Sequence, residues 1–354
     1  MKGYGMLKVD QAGWFESEKP KAGSLDAIVR PTLIAPCSSD THALHGGLGD
    51  TQNLILGHEA IGEIVEVGNL VRKFKPGDKV VVPCCNPNFL EKDVQGTGWA
   101  NAHDDGTFFG SFKFLAKKNG VWGEFFHVNE ADANLVILPN DVSAESALMT
   151  VDMMSTGFHG VELAEVGFGD NVVVMGIGPV GLMVVAGVKL RGAGKIIVTG
   201  TRPNCIAVAK EYGATDVVNY KLGDVVEQVK DIVHGQVDRV IIAGGGQETL
   251  AQALKMVKPG GIVSNVNFFD TKDVFTIPAG LWGLGMGNIS IRGGFCPGGA
   301  LRIEKLLNVI RNKRVDPSKL ITHRFDGFQK IEDAFILMGK KPADLIKPAV
   351  SIKW

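Results

Sequence analysis

The second half of the chain alternates short apolar runs with helical stretches from about residue 170 onward. The first run, Asn171 to Met175, is short and rich in β-branched residues, which is typical of a buried parallel strand. Glycines follow at positions 176, 178 and 181, then an apolar stretch to about Leu190, and then a second strand in the segment KIIVTG. This order predicts one complete βαβ unit.

The alternation continues toward residue 294. The further strand-like segments are TDVVNY, VDRVIIAGGG, GGIVSNVNF and ISIRGGF, and the segments DVVEQVKDIV and ETLAQALKMV carry helical patterns between them. Strands separated by helices of this length require parallel crossovers. The sequence therefore predicts a doubly wound parallel sheet, a Rossmann domain, over residues 153–294.

Residues 1–152 follow a different pattern. Short strand-like pieces lie between turns, and helical periodicity is scarce until about Ser143, which favours a β-rich domain. From residue 295 the segment ALRIEKLLNVIRNKR predicts an amphipathic helix and IKPAVSIKW a last strand, which we expect to pack on the first domain. We therefore predict an α/β protein of two domains, residues 1–152 with 295–354 and residues 153–294, as the length of 354 residues also favours.

Charge and cysteine content narrow the class of protein. A net charge of -1, from 37 basic and 38 acidic residues, gives no excess field for nucleic acid or anionic lipid, so we expect neither as a partner. We find no apolar run of about 18 residues and no secretory pattern at the start. The five scattered cysteines predict thiols rather than a disulfide framework. We therefore expect a soluble, cytoplasmic protein.

The three glycines after the first strand of the Rossmann domain form a phosphate-binding motif. Gly176 permits a sharp turn, Gly178 lets backbone N–H groups approach a pyrophosphate, and Gly181 lets helix and strand pack closely. The helix that begins beside Val180 adds positive potential at its N-terminus. We predict a dinucleotide site, although glycines that merely pack a turn are the alternative.

The end of the second strand distinguishes NAD from NADP. An acidic residue there would bind the ribose hydroxyls, but this chain has Gly200, Thr201 and Arg202 instead. A guanidinium pairs strongly with a 2′-phosphate, and the hydroxyl of Tyr220 could lie beside the adenosine. We predict NADP(H) as the cofactor, with a solvated surface arginine as the alternative.

Candidate metal ligands lie in three separate segments. PCSSDTHALHGG contains Cys37, ILGHEAIGEIVEVG contains His58 and Glu59, and TVDMMSTGFHG contains Asp152. A catalytic zinc site takes three such ligands and keeps one position open. Each residue taken singly also has an ordinary explanation as core, surface or cap, and spacing alone does not join them.

The segments GHEAIGEIVEVG, KPGDKVVVP and VVVMGIGPVGLM resemble the zinc-dependent medium-chain dehydrogenase/reductase superfamily, whose first domain has the GroES-like fold. The resemblance extends over essentially the whole chain. The segments MKGYGML, PCSSDTH, VDMMSTGFHG, RVDPSKLITH and KPADLIKP are similar to the NADP-dependent secondary alcohol dehydrogenases of anaerobic bacteria and some protists.

This resemblance implies roles for individual residues. Cys37, His58 and Asp152 would hold zinc, and Glu59 would be an occasional fourth ligand or a supporting carboxylate. Ser39 would touch the substrate hydroxyl, His42 would continue a proton path, and Asp40 would orient His58. Thr156 would lie near the nicotinamide. The substrate pocket would include Cys84, Cys85 and Phe112.

Typical members of the superfamily also bind a structural zinc through four cysteines in a lobe that corresponds to residues 90–115. This chain has no cysteine there, so we expect one catalytic zinc and no structural zinc. The resemblance further implies a homotetramer, and the apolar segment LWGLGMGNISIRGGF is a candidate contact edge.

The expected reaction is reversible hydride transfer between small secondary alcohols and NADP, giving ketones such as acetone from 2-propanol or 2-butanone from 2-butanol. Three alternatives stay open at this point. A zinc-free quinone or enone reductase would have no use for Cys37, His58 and Asp152 together, and a polyol or threonine dehydrogenase would generally prefer NAD. A structural protein recruited from a reductase would bind cofactor without turnover.

Overall fold

The structure is a computed structural model that describes residues 1–47, 51–99, 118–269 and 273–354. The strands of the described residues are β1 Lys2–Lys8, β2 Gln11–Glu16, β3 Ala27–Ile34, β4 Leu54–Ile55, β5 Ala60–Val67, β6 Lys79–Val82, β7 Phe126–Val128, β8 Val136–Ile137, β9 Asn171–Met175, β10 Lys195–Thr199, β11 Asp216–Val218, β12 Val237–Ile242, β13 Val257–Asn265, β14 Ser290–Gly293, β15 Ile321–Asp326 and β16 Lys347–Ser351.

The α-helices of the same residues are α1 Ser38–Leu44, α2 Lys92–Thr97, α3 Ala131–Asn134, α4 Ala144–Met149, α5 Ser155–Leu163, α6 Pro179–Leu190, α7 Pro203–Tyr212, α8 Val225–Val233, α9 Glu248–Met256, α10 Ala300–Arg311 and α11 Ile331–Lys340. A π-helix spans Thr150–Met154, and 3₁₀ helices span Ala279–Gly285, Pro317–Leu320 and Phe328–Lys330.

The chain divides into two compact units. One comprises Met1–Ser155 with Cys296–Trp354, and the other comprises Thr156–Phe295. None of the described helices has the length and apolar character needed to cross a bilayer.

The second unit is built on a sheet with the strand order β11-β10-β9-β12-β13-β14, in which every pairing is parallel. The predicted doubly wound sheet is therefore confirmed; β9 has the predicted bounds, and α6 ends at the predicted Leu190 but already begins at Pro179. The chain leaves β9 in one direction toward β10 and β11 and later returns on its other side as β12. The carboxyl ends of β9 and β12 thus mark the point where the strand order reverses, which is where open α/β sheets bind ligands.

Apolar side chains from the strands and helices form the core of this unit. Val173, Ile197, Val240 and Val263 are fully buried, and Val229 of α8 joins the same cluster. β-branched side chains of this kind suit strands covered on both faces. This packing holds the carboxyl ends of the strands, and the loops that follow them, in place.

The first unit is β-rich. Strands β15-β16-β3-β5-β6-β8 form one sheet, with β7 paired to β3, and β2-β1-β4 form another. The C-terminal strand β16 pairs with β3, so the end of the chain belongs to the same unit as residues 1–155. The short helices α1, α2 and α3 were not predicted, because helices of four to seven residues are too brief to show a periodicity.

Candidate metal centre and dinucleotide site

The register of two antiparallel strands brings the first two candidate ligands together. Ile34, at the end of β3, pairs with Ala60, at the start of β5, and the N–H of Ala35 donates to the carbonyl of Glu59 at 3.3 Å. Cys37 follows β3 and His58 precedes β5, so both lie at the same end of the sheet. Residues far apart in sequence therefore meet without any local signal.

Asp152 reaches the same place from a π-helix. Ser143 caps the N-terminus of helix α4, and its hydroxyl accepts a hydrogen bond from the N–H of Ser146 at 3.1 Å. The helix continues into the π-helical turn Thr150–Met154, where every residue is buried. Single π-turns inside helices often occur at functional sites because the extra residue redirects a side chain. Here the turn carries Asp152.

The four candidate ligands form one cluster. Ligand atoms of Cys37, His58, Glu59 and Asp152 all lie within 4.8 Å of one another. Oδ2 of Asp152 is 3.7 Å from Sγ of Cys37 and 3.3 Å from Nε2 of His58, and Oε1 of Glu59 is 3.7 Å from that nitrogen. A thiol, an imidazole and carboxylates form a donor set that suits zinc.

Asp40 ties two of these segments together. Its carboxylate accepts hydrogen bonds from the N–H of Cys37 at 2.8 Å and from the N–H of Gly57 at 3.2 Å, and it lies 3.0 Å from Nδ1 of His58. With the Nδ1 proton donated to Asp40, the lone pair of Nε2 is directed at the cluster. Asp40 therefore contacts both the ring of His58 and the backbone of the segment that carries Cys37.

The electrostatics of His58 reflect the surrounding carboxylates. Burial opposes the charged imidazolium, but the charge of Asp40 and hydrogen bonds to Asp152 and Asp40 outweigh it and hold the pKa well above its ordinary value. The cluster therefore attracts a cation, and a metal ion binding at Nε2 must displace a proton.

Glu59 provides a test of whether the cluster fits a metal. Its side chain is fully buried; Oε1 accepts a hydrogen bond from Nζ of Lys347 at 2.5 Å, and Oε2 has no hydrogen-bond partner among the described residues. A buried carboxylate oxygen without a partner is costly, and an ion nearby would relieve that cost. The residues present therefore fit a zinc ion.

The other predicted residues of this region lie as follows. Oγ of Ser39 is 3.3 Å from Nε2 of His58, and His42 lies one turn further along α1 and is exposed. Cys84 and Cys85 are buried and their thiols contact that of Cys296. Phe112, and residues 100–117 as a whole, lie outside the described residues.

A cavity of about 380 Å³ lies at the carboxyl ends of the strands of the second unit. Six of the nine predicted cofactor residues line it: Gly176, Gly178, Gly200, Thr201, Arg202 and Tyr220. The hydroxyls of Thr201 and Tyr220 are 3.0 Å apart. Val180 and Gly181 lie in the first turn of α6, and Thr156 lies on α5, outside the residues that form the cavity wall.

Packing within the protein requires the glycine at one position of the loop but not at another. A Cβ at Gly181 would lie 1.9 Å from the carbonyl oxygen of Gly176, so close packing excludes it. A Cβ at Gly178 would meet nothing within 4 Å, and its φ of -71° suits any residue. The space above Gly178 is therefore a cradle that the protein leaves open, which fits a pyrophosphate.

Sequence reasoning missed several residues of both sites. The cavity also includes Gly244, Gly245, Glu248, Thr249 and Gln252, which follow β12. Their signal was the segment AGGGQET after a predicted strand next to the reversal point. Lys347 was also missed, and its signal was a lysine inside the otherwise apolar strand IKPAV.

A Rossmann sheet with an open glycine cradle and, in the other unit, a Cys/His/carboxylate cluster are together typical of a zinc-type dehydrogenase. Two family models match the chain: "Alcohol dehydrogenase GroES-like domain" over residues 23–140 and "Zinc-binding dehydrogenase" over residues 179–312. The chain belongs to the zinc-dependent alcohol dehydrogenase family of the medium-chain dehydrogenase/reductase superfamily.

The chain is also similar to individual proteins over its full length. The NADP-dependent isopropanol dehydrogenase of Clostridium beijerinckii is 55% identical over 99% of this chain and 99% of its own length, and that of Entamoeba histolytica is 52% identical over 100% and 96%. Among solved structures, alcohol dehydrogenase TADH from Thermus sp. ATN1 matches with a TM-score of 0.87 and 28% identity, covering 100% of both chains. The expected fold class, GroES-like plus Rossmann, is confirmed.

Proposed function

We propose that this protein catalyses reversible, zinc-assisted hydride transfer between small secondary alcohols and NADP, giving ketones. The convergence of Cys37, His58 and Asp152 on one point carries the proposal, together with the oxygen of Glu59 that has no hydrogen-bond partner in the described part of the chain. The isopropanol dehydrogenases that cover the whole chain at 52–55% identity support the substrate class and the cofactor.

Zinc and NADP would supply the chemistry. Cys37, His58 and Asp152 would hold zinc, with Glu59 as a further carboxylate. A bound zinc ion lowers the pKa of an alcohol hydroxyl and polarises a ketone carbonyl. NADP would supply the acceptor or donor of the hydride, and the residues of the protein would contribute position and a dry environment.

The chain's own residues would handle the proton and the orientation of the ligands. Ser39, whose Oγ is 3.3 Å from Nε2 of His58, would take the substrate hydroxyl proton. His42, three residues along α1, lies on the same side of the helix and is exposed, so it can pass the proton to water. Asp40 holds the Nδ1 proton of His58 and thereby keeps Nε2 directed at the cluster.

Cofactor binding would follow from the cavity of the second unit. The loop from Gly176 to Gly181 would bind the pyrophosphate, and Arg202 would pair with the 2′-phosphate beside Thr201 and Tyr220. Thr156 would lie near the nicotinamide ring, and Cys84, Cys85 and Phe112 would line the alcohol pocket. The unit with Cys37 would be the catalytic domain and the other the NADP domain.

Assembly and location complete the proposal. A homotetramer is supported by the resemblance and by apolar side chains at the edge of the Rossmann sheet: Leu284 is 70% exposed, Met286 77% and Ile291 of the edge strand β14 39%. Sedimentation that shows a stable monomer would contradict it. A cytoplasmic location is supported by cysteines that are all thiols.

The test is a spectrophotometric assay of NADPH oxidation with acetone and 2-butanone, before and after chelation. We expect activity to disappear on chelation, to return with zinc, and to be much lower with NADH. Unchanged activity after verified metal removal would contradict the role of zinc and would favour a zinc-free reductase. A preference for NADH would favour a polyol-type enzyme.

A further inference from the structure

Three buried thiols meet in the β-rich unit; none of them is among the candidate zinc ligands assigned above, although Cys84 and Cys85 belong to the proposed alcohol pocket. Sγ of Cys84 is 3.3 Å from that of Cys296 and 3.8 Å from that of Cys85, and Cys85 and Cys296 are 3.4 Å apart. The three sulfurs form a nearly equilateral triangle, and each residue is almost completely buried. We call these residues the trithiol cluster.

Backbone contacts hold the trithiol cluster in place. The N–H of Gly299 donates to the carbonyl of Cys85 at 3.3 Å, and a Cβ at Gly298 would lie 2.1 Å from that oxygen. The segment after Cys296 is therefore pressed against Cys85. On the other side, the N–H of Cys84 donates to the carbonyl of Val151 at 3.4 Å. The triangle is a consequence of the fold rather than of mobile side chains.

The size of the triangle selects a coordination geometry. Sulfurs about 3.5 Å apart lie about 2.0 Å from their common centre, so an atom bonded to all three at about 2.3 Å stands about 1 Å above their plane. A planar three-coordinate metal would need wider spacing. The cluster suits an atom that forms three bonds in a pyramid.

The charge of the bound state also favours an atom that forms three bonds to sulfur. Binding a monovalent or divalent metal through three thiolates would leave a net negative charge in a buried site, which is costly. Burial already raises the pKa of Cys84 and Cys85 well above the ordinary value, so the thiols are protonated. A ligand that takes three neutral thiols and gives a neutral product avoids this cost.

We propose that Cys84, Cys85 and Cys296 form a binding site for trivalent arsenic, taken up as arsenous acid. Three As–O bonds break and three As–S bonds form, and the three thiol protons leave with the three hydroxyl groups as water. Arsenic stays trivalent and the product is uncharged. The zinc cluster offers only the thiol of Cys37 among its four ligands, so it cannot compete for this ligand.

The test is a titration of the zinc-loaded full chain with arsenous acid, followed by native mass spectrometry and zinc analysis. We expect one arsenic per chain with the replacement of three protons, retention of zinc, and a higher melting temperature. The variants Cys84→Ala, Cys85→Ala and Cys296→Ala should each bind roughly tenfold or more weakly. Their zinc content and melting temperature without arsenic show whether they fold.

Cys205→Ala is the matched control, because Cys205 is a buried thiol of α7 in the other unit. It should bind arsenic like the wild type. An adduct that replaces only two protons and retains a hydroxyl, an adduct that expels zinc, or binding that survives all three single substitutions would overturn the proposal. If one variant fails to fold, the proton count in the wild type and the other two variants still decide it.

Discussion

At the scale of single residues, the pair of Glu59 and Lys347 shows how the candidate zinc site is supported. Both side chains are fully buried, and Nζ of Lys347 also lies 3.6 Å from the sulfur of Met153. Burial disfavours the ammonium, but the negative charges of Cys37, Glu59 and Asp152 outweigh it and raise the pKa of Lys347. For Glu59, burial raises the pKa to about 7 although Lys347 opposes it.

Replacing Lys347 should therefore destabilise the protein strongly. Lys347→Met leaves Glu59 buried without its cation, and we expect a loss of about 3 kcal/mol in the free energy of unfolding. The double variant with Glu59→Gln should recover part of that loss, because the uncompensated charge is removed. Thermal and urea unfolding of the metal-free proteins, after chelation, measure both effects.

Lys258→Met supplies the comparison. Lys258 pairs with Asp238 but its side chain is 50% exposed, so its loss should cost less than about 1 kcal/mol. Equal stability of the Lys347→Met variant and the wild type would show that the buried pair contributes nothing.

Arg202 decides the preference for NADP in our interpretation. It lines the cavity beside Thr201 and Tyr220, and the sequence has no acidic residue at 200–202. We expect Arg202→Gln to raise the KM for NADP by about tenfold or more, since a hydrogen bond to a charged group is lost, and to leave the KM for NAD nearly unchanged. Initial-rate measurements with both coenzymes test this.

Arg191→Gln is the matched control for Arg202→Gln. Arg191 is an exposed arginine at the end of α6 and is not among the residues of the cavity wall. An unchanged KM for NADP in the Arg202 variant, or an equal rise in the Arg191 variant, would show that Arg202 does not read the 2′-phosphate.

At the scale of elements, the turn between β9 and α6 separates what the fold needs from what the cofactor needs. Gly178→Ala adds a methyl group to open space, so we expect a melting temperature close to that of the wild type and clearly weaker NADP binding. Gly181→Ala drives a Cβ against the carbonyl of Gly176, so we expect a lower melting temperature. Calorimetry and titration of NADPH fluorescence measure the two effects separately.

The prediction is that Gly178→Ala weakens NADP binding while Gly181→Ala lowers the melting temperature. If Gly178→Ala binds NADP as well as the wild type, the open space at residue 178 does not hold the pyrophosphate. If Gly181→Ala is as stable as the wild type, the turn tolerates more movement than the distance of 1.9 Å implies.

Local elements could be predicted from the sequence, whereas contacts between distant segments could not. The loop from Gly176 to Gly181 and the bounds of β9 were predictable, because the βαβ unit is a local pattern. The contact between Lys347 and Glu59 joins residues 288 positions apart, and that between Cys84 and Cys296 joins residues 212 apart. No spacing rule connects such residues, and only the pairing of β16 with β3 and the packing against Gly298 bring them together.

The candidate metal ligands could be predicted only in part from the sequence. Chemistry identified Cys37, His58, Glu59 and Asp152 as possible ligands, but the resemblance to a family was needed to join them. The physical reasons for their meeting are the register of β3 with β5 and the π-helical turn at Asp152, and neither can be inferred from hydrophobic periodicity.

At the scale of the whole molecule, zinc binding should stabilise only one of the two units. The candidate ligands come from three distant segments, and all of them belong to the unit of Met1–Ser155 and Cys296–Trp354. A ligand that binds only the folded state at 100 times its Kd adds about 2.7 kcal/mol of stability. For a unit of this size that corresponds to a rise in melting temperature of roughly 5–10 °C.

We therefore expect chelation to lower the melting temperature of this unit by that amount, while a separate transition of the Rossmann unit stays unchanged. Cys37→Ser should remove the dependence on zinc, because one ligand is lost, whereas Cys84→Ala should keep it, because the trithiol cluster is a different site. Calorimetry of the chelated and the zinc-supplemented proteins makes the comparison. If the Cys37 variant still gains stability from zinc and the Cys84 variant does not, then the metal binds at the thiols of Cys84, Cys85 and Cys296, and the arrangement of the catalytic site proposed here is wrong.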